Sequence, residues 1–181
     1  MKETHLRLDE PGLDERSLDE WSLDERLGPL LPLLLGRVFH VTAGDRLPLI
    51  RETGFVKTNR DGTFGDTYQR SRMSVGRKKG FVCLFDFRNA TDEEIQWGLD
   101  CFPLLAPSFG DRIAFLIVSP PAYRELVLWN DIRSHELTPF LRIPEVECWF
   151  PTDMPLSAVE EVLLVEVERR TPRSPSMQHP A

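Results

Sequence analysis

The chain has 181 residues, 41% of them hydrophobic, which suits one domain with a substantial core plus flanking tails. Its net charge of −7 is uneven: residues 1–27 hold nine acids and four bases, and the remainder 20 acids and 18 bases, so the core is close to neutral and overall charge gives no support for nonspecific nucleic-acid binding. The three cysteines, Cys83, Cys101 and Cys148, are odd in number and match no zinc spacing, so they read as reduced thiols of a cytoplasmic protein.

The first element is a short repeat. Leu8-Asp9-Glu10, Leu13-Asp14-Glu15, Leu18-Asp19-Glu20 and Leu23-Asp24-Glu25 recur every five residues. Five residues advance a helix by about 500°, so the leucines spiral around it and form no stripe, which argues against a coiled coil. Residues 1–28 therefore read as a solvated, weakly helical acidic arm, or as a docking arm for a partner or for the protein's own cleft. The apolar stretch Leu30–Leu35 is too short to cross a bilayer and is interrupted by Pro32, so it leads into the core. No signal peptide is visible, and no membrane partner is expected.

The main body is expected over residues 29–168. Val38–Thr42 is a short strand. Asp45 caps a helix running to about Thr53, with Leu47 and Ile50 facing inward and Gly54 as its stop. Phe55–Lys57 extends, and Asn59–Gly65 is a polar loop. Phe81–Phe87 is a strongly apolar strand. Thr91 followed by Glu94 is a capping box for a helix carrying Ile95 and Leu99. Ile113–Val118 is a second buried strand, Ser119-Pro120 opens a short helix, and Val146–Phe150 and Val162–Val167 are further strands with a turn over Pro155–Glu161. Residues 169–181, with Pro172, Pro175 and Pro180, read as a disordered tail. Without regular βαβ alternation, an α+β arrangement fits better than a doubly wound sheet.

There is no phosphate-binding P-loop, dinucleotide glycine fingerprint, His-Glu-x-x-His helix or nucleophile elbow. Of the four histidines, His5 and His179 lie in the tails, His135 is isolated, and no multi-histidine metal site is expected. His40 is different. If Phe39 and Val41 enter the core, His40 and Thr42 share the opposite strand face, either as surface groups or as a pair lining a cleft and hydrogen-bonding a ribose or an amide. Glu145 and Glu147 alternate with Val146 and Cys148, which puts both carboxylates on one face. That face is either a solvated edge or a carboxylate aimed at a sugar carbon that gains positive charge in a transition state. The basic run Arg70, Arg72, Arg77, Lys78 and Lys79 is either a solvated loop or a complement to a pyrophosphate or a nucleic-acid phosphate. Tyr68, at its edge, is placed to stack on a base or nicotinamide.

Phe39-His40-Val41-Thr42, then Leu47-Pro48-Leu49-Ile50 and Gly54-Phe55, resembles the opening of the DarT-type ADP-ribosyltransferase toxins. The late segment Glu147-Cys148-Trp149-Phe150-Pro151, then Met154-Pro155-Leu156-Ser157-Ala158-Val159, also resembles theirs, where a catalytic glutamate precedes a short hydrophobic strand and a Val/Ile-Pro-Leu turn. Between them, Arg70-Ser71-Arg72-Met73-Ser74 is similar to the family's Arg-Ser-Pro-Met stretch, with Arg72 in place of the proline. The order of histidine first and glutamate last agrees with poly(ADP-ribose) polymerases and their relatives. No Gly-x-Tyr strand corresponding to theirs is found, and Phe81–Phe87 stands in its place.

The resemblance implies an ADP-ribosyltransferase-like fold of two small packed sheets with short helices. It also implies transfer of ADP-ribose from NAD to a nucleic acid, a protein or a small acceptor. His40, Thr42, Tyr68 and Ser74 would hold NAD, with Glu147 catalytic and Arg70 assisting. An antitoxin or other protein partner goes with such a toxin-like enzyme. Two alternatives stand beside it: an NAD-dependent RNA 2′-phosphotransferase, and a non-catalytic binding module of the same fold.

Overall fold

Apolar alternation and helix caps set the elements of this chain, and the computed structural model describes residues 1–9, 22–64, 73–132, 143 and 145–168. The strands are β1 (Lys2–Asp9), β2 (Val38–Ala43), β3 (Phe55–Val56), β4 (Val82–Asp86), β5 (Arg112–Val118), β6 (Glu147–Phe150), β7 (Met154–Pro155) and β8 (Val159–Glu168). The helices are α1 (Leu23–Leu27), α2 (Leu31–Leu34), α3 (Leu47–Thr53), α4 (Val75–Lys79) and α5 (Asp92–Cys101), with short 3-10 turns between them. The class is mixed α+β. Instead of two comparable small sheets there is one six-stranded mixed sheet, ordered β1-β8-β5-β2-β4-β6, and a two-stranded ribbon of β3 and β7.

The sheet is buried on both faces. One face carries Phe39, Phe85, Ile113, Phe115 and Leu163 against Leu27, Leu34, Ile95 and Leu99 of the helices. The other carries Val38, Leu84, Leu116, Cys148 and Leu164 against Leu47, Ile50 and Met154. β5 sits between β8 and β2, and six of its seven residues are buried, which explains its unbroken apolar run. The Thr91–Glu94 capping box forms as expected: the Thr91 N–H donates to the Glu94 carboxylate at 2.7 Å, and the Glu94 N–H to the Thr91 hydroxyl at 3.3 Å. Gly54 ends α3 with φ of 74°, a left-handed conformation that favours glycine.

Several expectations are corrected. Residues 2–9 are not a weakly helical solvated arm: they form an edge strand parallel to β8, with Leu8 in the core. Glu161 of β8 explains the docking. Its carboxylate takes Lys2 Nζ at 2.7 Å, the Thr4 hydroxyl at 2.8 Å and Arg37 at 3.0 Å, and the outer ion pairs Arg51–Glu3 and Arg7–Glu168 flank it. Burial pushes the Glu161 carboxyl upward, but the hydrogen bonds from Lys2, Thr4 and Arg37 outweigh it and hold the group at about 2. Leu23-Asp24-Glu25, the last copy of the repeat, is helical, with Ser22 and Glu25 forming a second capping box. Residues 10–21 and the C-terminal segment 169–181 lie outside the described residues. Asp45 sits in a 3-10 turn and does not cap α3, whose first turn carries Pro48 and no side-chain cap. Glu145 precedes β6 with φ of 63°, so it shares no strand face with Glu147.

Among the described residues, no helix is long and apolar enough to cross a membrane.

Candidate functional site

Pairing within the main sheet is uneven. β2 pairs with β5 from Phe39 through Ala43, and β4 pairs with β6 along Val82–Phe85. Between β2 and β4, however, the register covers only Val38↔Asp86 and Phe39↔Phe85. Beyond that pair the two strands part. A cavity of about 370 Å³ occupies the gap, lined by His40, Val41 and Thr42 from β2 and by Val82–Phe85 from β4. Its walls come from both sides of the sheet: Leu49, Ile50 and Phe55 from one, Phe102 and Phe109 from the other.

His40 sits where the ladder stops. The next pair in register, His40 with Leu84, does not form, and instead the Cys83 carbonyl lies 2.9 Å from His40 Nδ1. A carbonyl only accepts, so Nδ1 carries the proton and donates. The neutral ring then keeps Nε2 as an acceptor, and among the described residues no hydrogen bond occupies it. Burial holds the imidazole pKa below its ordinary value, with the Cys83 hydrogen bond acting in the opposite sense. Phe39 and Val41 do enter the core cluster on one side, while His40 and Thr42 are partly buried and line the cavity.

Glu147 opens β6, reaches the same cavity and is held by its neighbours. Its Oε2 accepts the Ile143 N–H at 2.7 Å and its Oε1 accepts the indole N–H of Trp149 at 3.0 Å. Its negative charge, after the larger effect of burial, helps raise the Cys83 thiol well above the ordinary thiol range, so that sulfur is kept protonated beside the carboxylate.

Ser74 joins them through another element. It caps α4 by accepting the Arg77 N–H at 3.2 Å, and its hydroxyl lies 3.9 Å from Cys83 Sγ. Two arginines flank the cavity. Arg46 Nη2 donates to the Phe64 carbonyl at 2.7 Å, and the Arg77 guanidinium lies against Gly62, so both touch the 59–64 loop that lines one wall.

His40, Thr42, Ser74 and Glu147, read from the sequence as site residues, thus line one cavity although they come from three separated segments. Tyr68 and Arg70 lie outside the described residues, as do Arg72 and His135. Arg77, named only within the basic run, lines the cavity. The sequence reading missed Arg46, the Cys83 carbonyl and Trp149. Trp149 had a signal, since it stands two residues after Glu147 and so shares its strand face. Among the described residues, no group of three or more His, Cys, Asp or Glu is placed to hold a metal ion. Comparison with protein-family models, curated proteins and solved structures finds no match for this chain.

Proposed function

We propose that this protein transfers ADP-ribose from NAD to an acceptor, with the cavity between β2 and β4 as its active site. The observation that supports this most is convergence. His40 on β2 and Glu147 on β6 are distant in sequence, were both expected from motif resemblance, and line one cavity together with Thr42 and Ser74. That cavity combines apolar walls, suited to a nicotinamide ring, with few polar groups to orient it.

The roles follow from the chemistry of each group. His40 Nε2, an acceptor, takes a ribose hydroxyl or the carboxamide N–H, with the Thr42 hydroxyl beside it. Glu147 accepts a hydrogen bond from a ribose hydroxyl, and its charge offsets the positive charge that develops at C1′. The bond from C1′ to the nicotinamide nitrogen breaks with its electron pair going to the nitrogen, nicotinamide leaves as a neutral amide, and the acceptor's nucleophilic atom bonds to C1′ and loses its proton to water. Arg46 and Arg77 supply positive charge for the pyrophosphate.

The test is incubation with NAD labelled in the adenylate part, in the presence of cell lysate, with nicotinamide release followed in parallel. Labelled product and released nicotinamide are expected from the wild type. A loss of roughly 100-fold or more in nicotinamide release is expected for Glu147→Ala. Labelling that survives the substitution overturns the role of Glu147.

A further inference from the structure

We infer that Trp149 is the positioning residue for Glu147, fixing the carboxylate through its indole N–H in the orientation the cavity requires. This rests on the reaction proposed above. Trp149 and Glu147 stand two residues apart on β6, so both side chains leave the same face of the strand. The contact between them is Nε1–H to Oε1 at 3.0 Å.

What sets this contact apart is how firmly the donor is held. The indole is fully buried, at 0% exposure. Its backbone is tied on both sides: it pairs with Cys83 of β4, and exchanges hydrogen bonds with Val127 at 2.8 and 3.0 Å on the other edge. Gly76 of α4 lies flat against the ring. A Cβ at that position would fall 2.9 Å from Cδ1 and 3.2 Å from Nε1 of Trp149, and closer still to Cys83 Sγ. The indole therefore has no room to swing away, and its N–H stays aimed at Glu147. An exposed glutamate is free to sample several rotamers. This one is presented in a fixed orientation before any ligand arrives, which is the preorganisation that electrostatic catalysis needs.

The experiment has two independent arms. In the first, the indole N–H resonance of Trp149 is assigned by its loss in Trp149→Phe. It is expected to exchange slowly with solvent, and to shift and exchange faster in Glu147→Ala. A resonance that Glu147→Ala leaves unmoved overturns the inference, whatever the protein's reaction is. In the second, Trp149→Phe is expected to lower kcat for nicotinamide release roughly 10-fold, with KM for NAD unchanged. Trp149→His, a smaller ring that keeps an N–H, is expected to recover part of that loss. Where Trp149→Phe does not fold, the indole resonance is assigned through its sequential and cross-strand neighbours, and its response to Glu147→Ala decides the inference. Equal activity of Trp149→Phe and the wild type overturns the inference. A wild type that releases no nicotinamide while the resonance responds to Glu147→Ala overturns the proposed reaction alone, and the coupling of Trp149 to Glu147 stands.

Discussion

The two halves of the main sheet are built from the same kind of strand and end differently. On the side of β5 and β8 the ladder runs from Arg112↔Glu166 to Val118↔Val159, broken by one irregularity at its end, and β1 extends it by eight further pairs. On the side of β2 and β4 it stops after two pairs. The continuous half pairs β5 and β8 along their length and packs Phe115, Leu163 and Val165 into a closed core, so it is a scaffold. In the interrupted half a histidine side chain replaces a backbone partner, and the space that follows is the cavity. The proposed site lies where pairing is given up, beside strands that stay paired.

That contrast can be broken at three points. The largest effect is expected on the continuous side. Phe115, fully buried and 5.9 Å from Phe39 between ring centres, should cost about 3–5 kcal/mol of stability when replaced by alanine. Denaturant unfolding measures this, and NAD affinity of the remaining folded protein should be unchanged. If affinity falls with stability, the two halves are not separable.

A smaller effect is expected at the outer end of the scaffold. Glu161→Gln removes the charge that gathers Lys2, Thr4 and Arg37, and should cost about 2 kcal/mol at pH 7. The carboxyl is held at about 2 against an ordinary 4.5, so its contribution is complete above pH 4.5 and is lost as pH falls from there towards 2. The wild type should therefore show an acid-dependent loss of stability in that window that the variant lacks. Matching acid profiles would remove Glu161 as the anchor of β1.

The smallest effect belongs to His40 and sharpens the account of the gap. Its pKa is lowered by burial from the ordinary 6.5, so the folded protein holds a neutral ring at pH 7. Below pH 6.5 the unfolded chain takes the proton first, and stability declines until the folded pKa is reached. Once Nε2 is protonated it donates, and affinity for a ligand that offers a hydroxyl or amide proton should fall by at most about tenfold per pH unit. Calorimetric titration with NAD between pH 7.5 and 5 measures the slope. An affinity that rises on acidification would mean that His40 donates to the ligand.

Much of the scaffold was legible in the sequence. The apolar runs of β4 and β5, the Thr91–Glu94 capping box and the Gly54 stop are short-range patterns, and a strand or a helix end answers to its own few residues. The placement of His40 and Thr42 on the face opposite Phe39 and Val41 followed from alternation alone. The N-terminal strand was not legible. Lys2–Asp9 is polar and charged because an edge strand has one unpaired side, and the acidic repeat that follows dominates its composition. Its partner, Glu161, lies more than 150 residues away by sequence position.

The sequence by itself determined which residues have the chemistry for a site: a histidine and threonine sharing a strand face, and a glutamate at the head of a late strand. Only the tertiary structure decided that β2 and β4 part after two pairs, that the Cys83 carbonyl fixes the tautomer of His40, and that Trp149, pressed by Gly76, holds Glu147. The physical reason is that strand propensity and alternation act within a few residues, whereas the end of a ladder is a competition between partners brought together from separate segments of the chain.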